Sequence, residues 1–157
     1  MIRVMFVCHG NICRSPMAEF VFRELARRKG AEERFSVASS ATSTEEIWNG
    51  VGSPMYPPAR EELRRHGIPF DARRAVLLRA EDAGKYDLFV GMDHANVRNM
   101  SRILGSAGEG KIRLLMDFTD RGGEVADPWY SDRFDVAYRD IRDGCEGLLK
   151  HLLQSIE

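Results

Sequence analysis

Cys8 and Arg14 are separated by five residues in the run Cys8-His9-Gly10-Asn11-Ile12-Cys13-Arg14-Ser15. That spacing suits one chemistry. A loop closed into a semicircle turns successive backbone N–H groups inward as an anion nest. A helix starting at its end adds free N–H groups and its dipole. Gly10 and Asn11 suit the unusual dihedrals of such a loop. The planar fork of Arg14 can grip two phosphoryl oxygens, as a lysine could not. Cys8 then sits at the floor facing phosphorus. The same field favours the thiolate, since a free cysteine titrates near ~8.5 and helix N-termini or cations bring this to roughly 3.5–7.5. A Cys-x5-Arg match also arises by chance as a buried strand-end cysteine with a surface arginine, so the surrounding elements must decide.

Those elements fit. Residues 2–7 form a β-branched, aromatic-rich run without clean alternation, the pattern of a strand buried on both faces. After the loop a helix is expected, with Ser15 as N-cap and Pro16 at its first position, an apolar face through Met17, Phe20, Val21 and Leu25, and a stop at Gly30. Further strands are expected at 34–38, 86–91 and 112–115. Residues 59–66 should form a helix stopped by Gly67, Asp93 should cap another, and Phe134, Tyr138, Ile141, Cys145, Leu148 and Leu152 mark a long last helix. Residues 39–58, rich in Ser, Thr, Gly and Pro, suggest a long functional loop. Strands alternating with helices imply an α/β fold, a parallel sheet with right-handed crossovers. Ligands bind such sheets beyond the carboxyl ends of strands, where Cys8 lies.

The 157 residues suit one domain spanning 1–157, with 43% hydrophobic and 30% charged residues. A net charge of −1 argues against a nucleic-acid-binding face. The pairs and runs Arg27-Arg28-Lys29, Arg64-Arg65 and Arg73-Arg74 are expected on solvated faces. Three cysteines without a Cys-x-x-Cys point to free thiols in a reducing compartment. The short apolar start, interrupted at Cys8, is neither a signal core nor a membrane span, so a cytoplasmic location is expected. Cys8, His9 and Cys13 fit no zinc spacing and no metal is expected. Residues 105–112, Gly-Ser-Ala-Gly-Glu-Gly-Lys-Ile, nearly match a nucleotide-binding loop, but Ile112 stands where Mg²⁺ binding needs Ser or Thr.

The segments 7–16, Val-Cys-His-Gly-Asn-Ile-Cys-Arg-Ser-Pro, and 127–130, Asp-Pro-Trp-Tyr, together resemble the low-molecular-weight protein tyrosine phosphatases, in that family's order and over nearly the whole chain. The resemblance implies a single-domain, three-layer fold of flavodoxin-like topology, with a four-stranded parallel sheet flanked by helices. It implies that Cys8 attacks phosphorus to form a phosphocysteine, that Arg14 clamps the equatorial oxygens, and that Asp127 is the general acid and base. Read alone, Asp127-Pro128 is equally a turn or helix-entry signal. By the same resemblance His9, Gly10, Asn11, Ile12, Cys13, Arg14 and Ser15 form the phosphate-binding loop, with Ser15 donating to the thiolate. Asn11, Ser39 and His66 brace it, although His66 also suits a helix C-terminus. Trp48, Trp129 and Tyr130 would wall an aromatic cleft, although exposed loop aromatics often pack only locally.

The substrate so implied is a phosphotyrosine-containing protein or peptide, with no cofactor, no nucleic-acid or membrane partner, and a monomer or weak homodimer as the assembly. Where relatives carry two tyrosines after Asp-Pro, Trp129 replaces the first, and His9 replaces a smaller residue. An arsenate-reducing branch needs further relay cysteines, but Cys145 falls on the apolar stripe of the last helix. A phosphoarginine branch carries Thr where Ile12 stands, and a catalytically dead phosphotyrosine-binding module would not need Cys8, Arg14 and Asp127 together. Cys13, near Cys8 in the loop, is a candidate redox partner that would shield the nucleophile in a reversible disulfide.

Overall fold

The computed structural model describes residues 1–156. Strand β1 (Ile2–Cys8) lies at the centre, paired in parallel with β2 (Phe35–Ala41) on one side and β5 (Leu88–Gly91) on the other. Beyond β5 comes β6 (Ile112–Leu114), giving the order β2-β1-β5-β6 in a four-stranded parallel sheet. Val4, Phe6 and Cys8 pack into the larger core cluster, under helices α1 (Arg14–Arg28) and α5 (Phe134–Ser155). Met5 and Val7 pack on the opposite face with Phe89, Met100 and Leu104, the last two from α3 (His94–Leu104). Both faces are therefore covered, which is why β1 shows no polar alternation. The chain passes from β1 outward to β2, then crosses back to β5 on the other side of β1. The order reverses between β1 and β5, and Cys8 ends β1 at that crevice.

Several boundaries differ from expectation for visible reasons. Strand β2 runs on to Ala41, because Ser39, Ser40 and Ala41 pair with Phe6, Val7 and Cys8. Sheet pairing overrides the weak strand preference of serine. The stretch between β2 and the next helix holds a small antiparallel hairpin, β3 (Ile47–Trp48) and β4 (Val51–Gly52). Helix α2 (Pro57–Arg65) starts two residues earlier than the periodicity suggested, its prolines occupying a first turn that needs no N–H donors. Strand β5 starts at Leu88, since Asp87 accepts from Arg3 N–H (2.8 Å) and pairs with its guanidinium. The glycine-rich segment near 105–112 follows α3 and precedes β6, the reverse of a phosphate-binding strand–loop–helix. Among the described residues no helix is long and apolar enough to cross a membrane.

Candidate active site

Between β1 and α1 the loop wraps around a hollow, and the pattern of its carbonyls shows which way it faces. The carbonyls of Cys8, His9, Ile12 and Cys13 accept from Thr42 N (3.0 Å), Ser43 N (3.0 Å), Tyr56 N (2.9 Å) and Met17 N (3.1 Å) respectively, all outside the loop. In a trans peptide C=O and N–H point in opposite directions. The N–H groups of His9, Gly10, Cys13 and Arg14 are therefore turned inward, an anion nest. Asn11 holds φ 58°, a left-handed conformation that asparagine tolerates. Gly10 has no such φ, and a Cβ there would press only lightly on the Glu46 side chain, 3.2 Å from its Cγ.

Cys8 Sγ receives Asn11 N–H at 3.3 Å and lies 3.0 Å from Ser15 Oγ. Helix α1 begins at Arg14, so Ser15 lies inside its first turn and makes no cap. Its hydroxyl is turned to the sulfur instead. Cys13, 6% exposed, has its thiol held as SH by burial first and then by the negative charges of Cys8 and Asp127.

The brace under the loop is a buried polar network. Asn11 Nδ2 donates to Ser15 Oγ (2.8 Å) and Ser39 Oγ (3.0 Å), and the Ser39 hydroxyl donates to Glu19 Oε1 (2.6 Å). Arg73 completes it. Its Nη2 donates to Asn11 Oδ1 (2.7 Å), and its Nη1 to Ser39 Oγ (2.7 Å) and Glu19. Arg73 is thus no solvated surface charge, its side chain being 15% exposed. His66 is not part of this brace. It caps the C-terminus of α2, stacks on Tyr138 (3.8 Å between ring centres, 4° between planes) and has Nε2 3.2 Å from Glu62 Oε1. A flat ring on a long aromatic face is better satisfied there than across the sheet. Neither Arg73 nor Glu19 was singled out from the sequence. A double-arginine run gives no hint that one of its members is buried.

Arg14, 3% exposed, points across the hollow. Nη1 donates to Asp93 Oδ2 (2.8 Å) and Val125 O (2.9 Å), while Nη2 is 3.5 Å from Asp127 Oδ2. Burial works against its charge, but Cys8, the hydrogen bond to Asp93 and the charge of Asp127 outweigh that and hold it above the ordinary arginine value. Asp93 is itself fixed as the cap of α3, accepting from Asn96 N at 2.8 Å. Asp127 caps the short helix α4 (Pro128–Ser131), its Oδ1 accepting from Trp129 N at 3.0 Å. Its other oxygen, Oδ2, is the one on the Arg14 side.

Above the loop the cleft is lined by Glu45 and Glu46 on one side and by Asp127, Trp129 and Tyr130 on the other. Trp129 rests on Tyr56, their ring centres 5.0 Å apart, and Tyr130 is 87% exposed. At the rim His9 Nε2 meets Glu45 Oε2 at 3.0 Å. Trp48 does not join the wall; it stands 81% exposed on the β3–β4 hairpin, and the acidic pair Glu45 and Glu46 occupies that side. Cys145, fully buried, donates to Ala18 O at 3.7 Å, away from the loop. The arrangement can seat a tetrahedral oxyanion over a sulfur, with one carboxyl oxygen beside it.

Comparison with known proteins agrees with this geometry. The family model for low molecular weight phosphotyrosine protein phosphatase matches residues 3–157. The low molecular weight protein-tyrosine-phosphatase YfkJ of Bacillus subtilis (strain 168) is 37% identical over 151 residues, 95% of this chain and 94% of its own length. The corresponding PtpA of Staphylococcus aureus (strain MRSA252) is 33% identical over 98% of this chain and 96% of its own. The crystal structure of YfkJ from Bacillus subtilis superposes with a TM-score of 0.93 over 100% of this chain and 98% of its own, at 34% identity. The structure of Wzb from Vibrio vulnificus in complex with benzylphosphonate superposes with a TM-score of 0.81 over 96% of this chain and 98% of its own, at 25% identity. With a loop, sheet and cleft of this form, the chain belongs to the low molecular weight phosphotyrosine protein phosphatase family.

Proposed function

We propose that this protein hydrolyses phosphotyrosine in proteins or peptides through a phosphocysteine on Cys8. The observation that carries the reading is convergence: the Cys8 sulfur, the inward N–H groups, the Arg14 fork and Asp127 Oδ2 meet in one cleft between aromatic and acidic walls. The Cys8 thiolate attacks phosphorus in line, and the P–O bond to the tyrosyl oxygen breaks. Arg14 and the nest stabilise the equatorial oxygens as charge spreads over them. Asp127, protonated on Oδ2, gives its proton to the departing phenolate. Its carboxylate then takes a proton from water attacking the phosphocysteine, which returns thiolate, phosphate and protonated Asp127. Capping α4 engages Oδ1 only, so one carboxyl can hold its loop and still move a proton.

Substrate choice follows from the cleft. Cys8 and Trp129 line the same cleft, and a phenyl ring laid along the aromatic wall extends the phosphoryl group to the sulfur where a shorter seryl methylene would fall short. A ligand of the same shape, benzylphosphonate, occupies the related Vibrio vulnificus structure. Ile12 at the loop weighs against phosphoarginine, and the lack of a further cysteine to carry a disulfide onward, Cys145 being sealed in the core, weighs against arsenate chemistry. The test is turnover of p-nitrophenyl phosphate and of matched phosphotyrosine, phosphoserine and phosphoarginine peptides, with EDTA present, by wild type, Cys8→Ser and Asp127→Ala. Phosphotyrosine turnover abolished by Cys8→Ser and lowered about 10²–10⁴-fold by Asp127→Ala is expected. Turnover of phosphoarginine alone would discard the substrate and keep the mechanism. Tight binding without turnover would overturn the enzymatic reading.

A further inference from the structure

A second concentration of positive charge lies outside the cleft. A hollow of about 310 Å³ opens between α2 and the segment 70–74, lined by Arg60, Arg64, Phe70, Asp71, Arg73 and Arg74. It is far larger than the ~30 Å³ a water molecule takes up in the liquid. Four arginines line it against one acidic residue, Asp71, whose carboxylate is only loosely engaged, 3.9 Å from Arg23. Arg73 is committed to Asn11, Ser39 and Glu19, and Arg74 uses Nη1 on Gly52 O (2.9 Å). Arg64 lies over the Phe70 ring (5.2 Å), with only a long, exposed contact to Glu61 (3.6 Å). Arg60 makes no ion pair among the described residues, and its Nε–H is shut off from solvent with no hydrogen-bond partner.

Buried donors are almost always satisfied, and an unpaired one is costly. Arg60 and Arg64 are also one turn apart on α2, where like charges repel. The repulsion is relieved if an anion with several oxygens sits between the two guanidinium forks, held through their outer Nη groups, while the enclosed Arg60 Nε–H stays behind it. Arginine forks match such an oxyanion in charge and shape.

We propose that this hollow is a second anion site, built by Arg60, Arg64 and Arg74 for a phosphoryl dianion, separate from the catalytic loop. Inorganic phosphate and a phosphomonoester on a protein side chain share that chemistry. The site shares Arg73 with the brace of the catalytic loop but none of the groups that would meet substrate. It does not depend on what the catalytic cleft hydrolyses.

The test is titration with inorganic phosphate followed on arginine Nε–Hε signals in ¹⁵N-labelled protein, with sodium chloride at matched ionic strength as control. Arg14 reports the catalytic loop and Arg60 the hollow, so the two sites are read separately. Saturation of the Arg60 signal, with its own midpoint and absent with chloride, supports the site. In Arg64→Gln, whose exposed side chain makes misfolding a minor concern, the midpoint should rise about tenfold, the loss of one charge-assisted hydrogen bond, while the Arg14 curve stays in place. An Arg60 signal that stays still or follows only ionic strength, while Arg14 saturates, overturns the proposal. An unchanged midpoint in Arg64→Gln overturns it equally. A phosphoserine peptide, titrated into Cys8→Ser to prevent turnover, separates the sources. Tighter binding than inorganic phosphate assigns the site to phosphoproteins, and equal binding assigns it to the free ion.

Discussion

Replacing Arg73 by Met tests whether the catalytic loop is held from below. The variant keeps much of the aliphatic stem but removes the ion pair to Glu19 and the hydrogen bonds to Asn11 Oδ1 and Ser39 Oγ, each 2.7 Å. Breaking a buried pair costs about 3–5 kcal/mol when the remaining charge is left bare. Glu19 would not be bare, since Arg23 remains at 2.8 Å and the Ser39 hydroxyl at 2.6 Å, which places the loss at the low end, about 3 kcal/mol. For a chain of this length that lowers Tm by roughly 6–12 °C. The effect on turnover is separate. Freed of Arg73, Asn11 can relax and take its N–H off the Cys8 sulfur, and small misplacements of reacting groups cost up to about 10²-fold in kcat. The assay is urea unfolding with p-nitrophenyl phosphate kinetics below the transition. Adding Glu19→Gln to Arg73→Met should recover roughly 1 kcal/mol by removing the under-compensated carboxylate, but should not restore kcat. Stability within about 0.5 kcal/mol of wild type and an unchanged kcat would refute the brace, since substitutions away from structural features fall in that range.

Other perturbations probe different links. In Asp127→Ala the loss of rate should be steeper for phenyl phosphate than for p-nitrophenyl phosphate, whose leaving group needs no proton; equal losses would mean Asp127 is not the acid. A methyl group at Gly147 would lie 1.9 Å from Phe118 O, so Gly147→Ala must push α5 off the turn at residues 115–118, at a cost of about 1–3 kcal/mol or more by denaturant unfolding. Glu24 is held down to about 2 by its hydrogen bond to Arg27, with Arg28 assisting against burial. Its contribution, about 1 kcal/mol after solvent screening, is full above the ordinary value of 4.5 and fades as pH falls through about 2, so the stability gap between wild type and Glu24→Gln should close over that window. After peroxide, condensation of a Cys8 sulfenic acid with the Cys13 thiol would release water and leave a reducible disulfide. Cys13→Ser should then recover less activity with dithiothreitol than wild type, and equal recovery would dismiss the shield.

What was legible in the sequence was local. Strand, turn and helix signals run consecutively through residues 2–28, so the Cys8 loop could be placed at a strand end before any tertiary information. Asp93 announced itself as a cap and proved to be also the anchor of Arg14, 79 residues away in the chain. The brace was illegible for the opposite reason: Arg73 meets Asn11 across 62 residues and Glu19 across 54, and nothing near it in sequence separates it from Arg74. His66 failed as a brace because a ring at a helix end has equal claims on several partners, and Tyr138, brought up by α5, took it. The acidic side of the cleft escaped notice because Glu45 and Glu46 sit in a segment whose path is set by contacts elsewhere. Ser53 N–H ties to Glu46 O (2.7 Å), Ala75 N–H ties to Ser53 O (2.9 Å), and Gly52 lies where any Cβ would be 1.9 Å from Ala75 O.

The unequal placement of the three thiols means that the protein carries its own standard for counting. Cys145 is sealed in the core and its thiol is pushed up by burial; Cys13 is pushed up by burial and by its neighbours' charge. Both are buried and held as thiols, whereas Cys8 lines an open cleft and receives the Asn11 N–H. A mild alkylating acid such as iodoacetate, itself an anion the loop would draw in, should therefore take up a single equivalent per chain. The amount incorporated then measures the fraction of competent molecules in any preparation, and turnover can be normalised to working sites instead of to total protein.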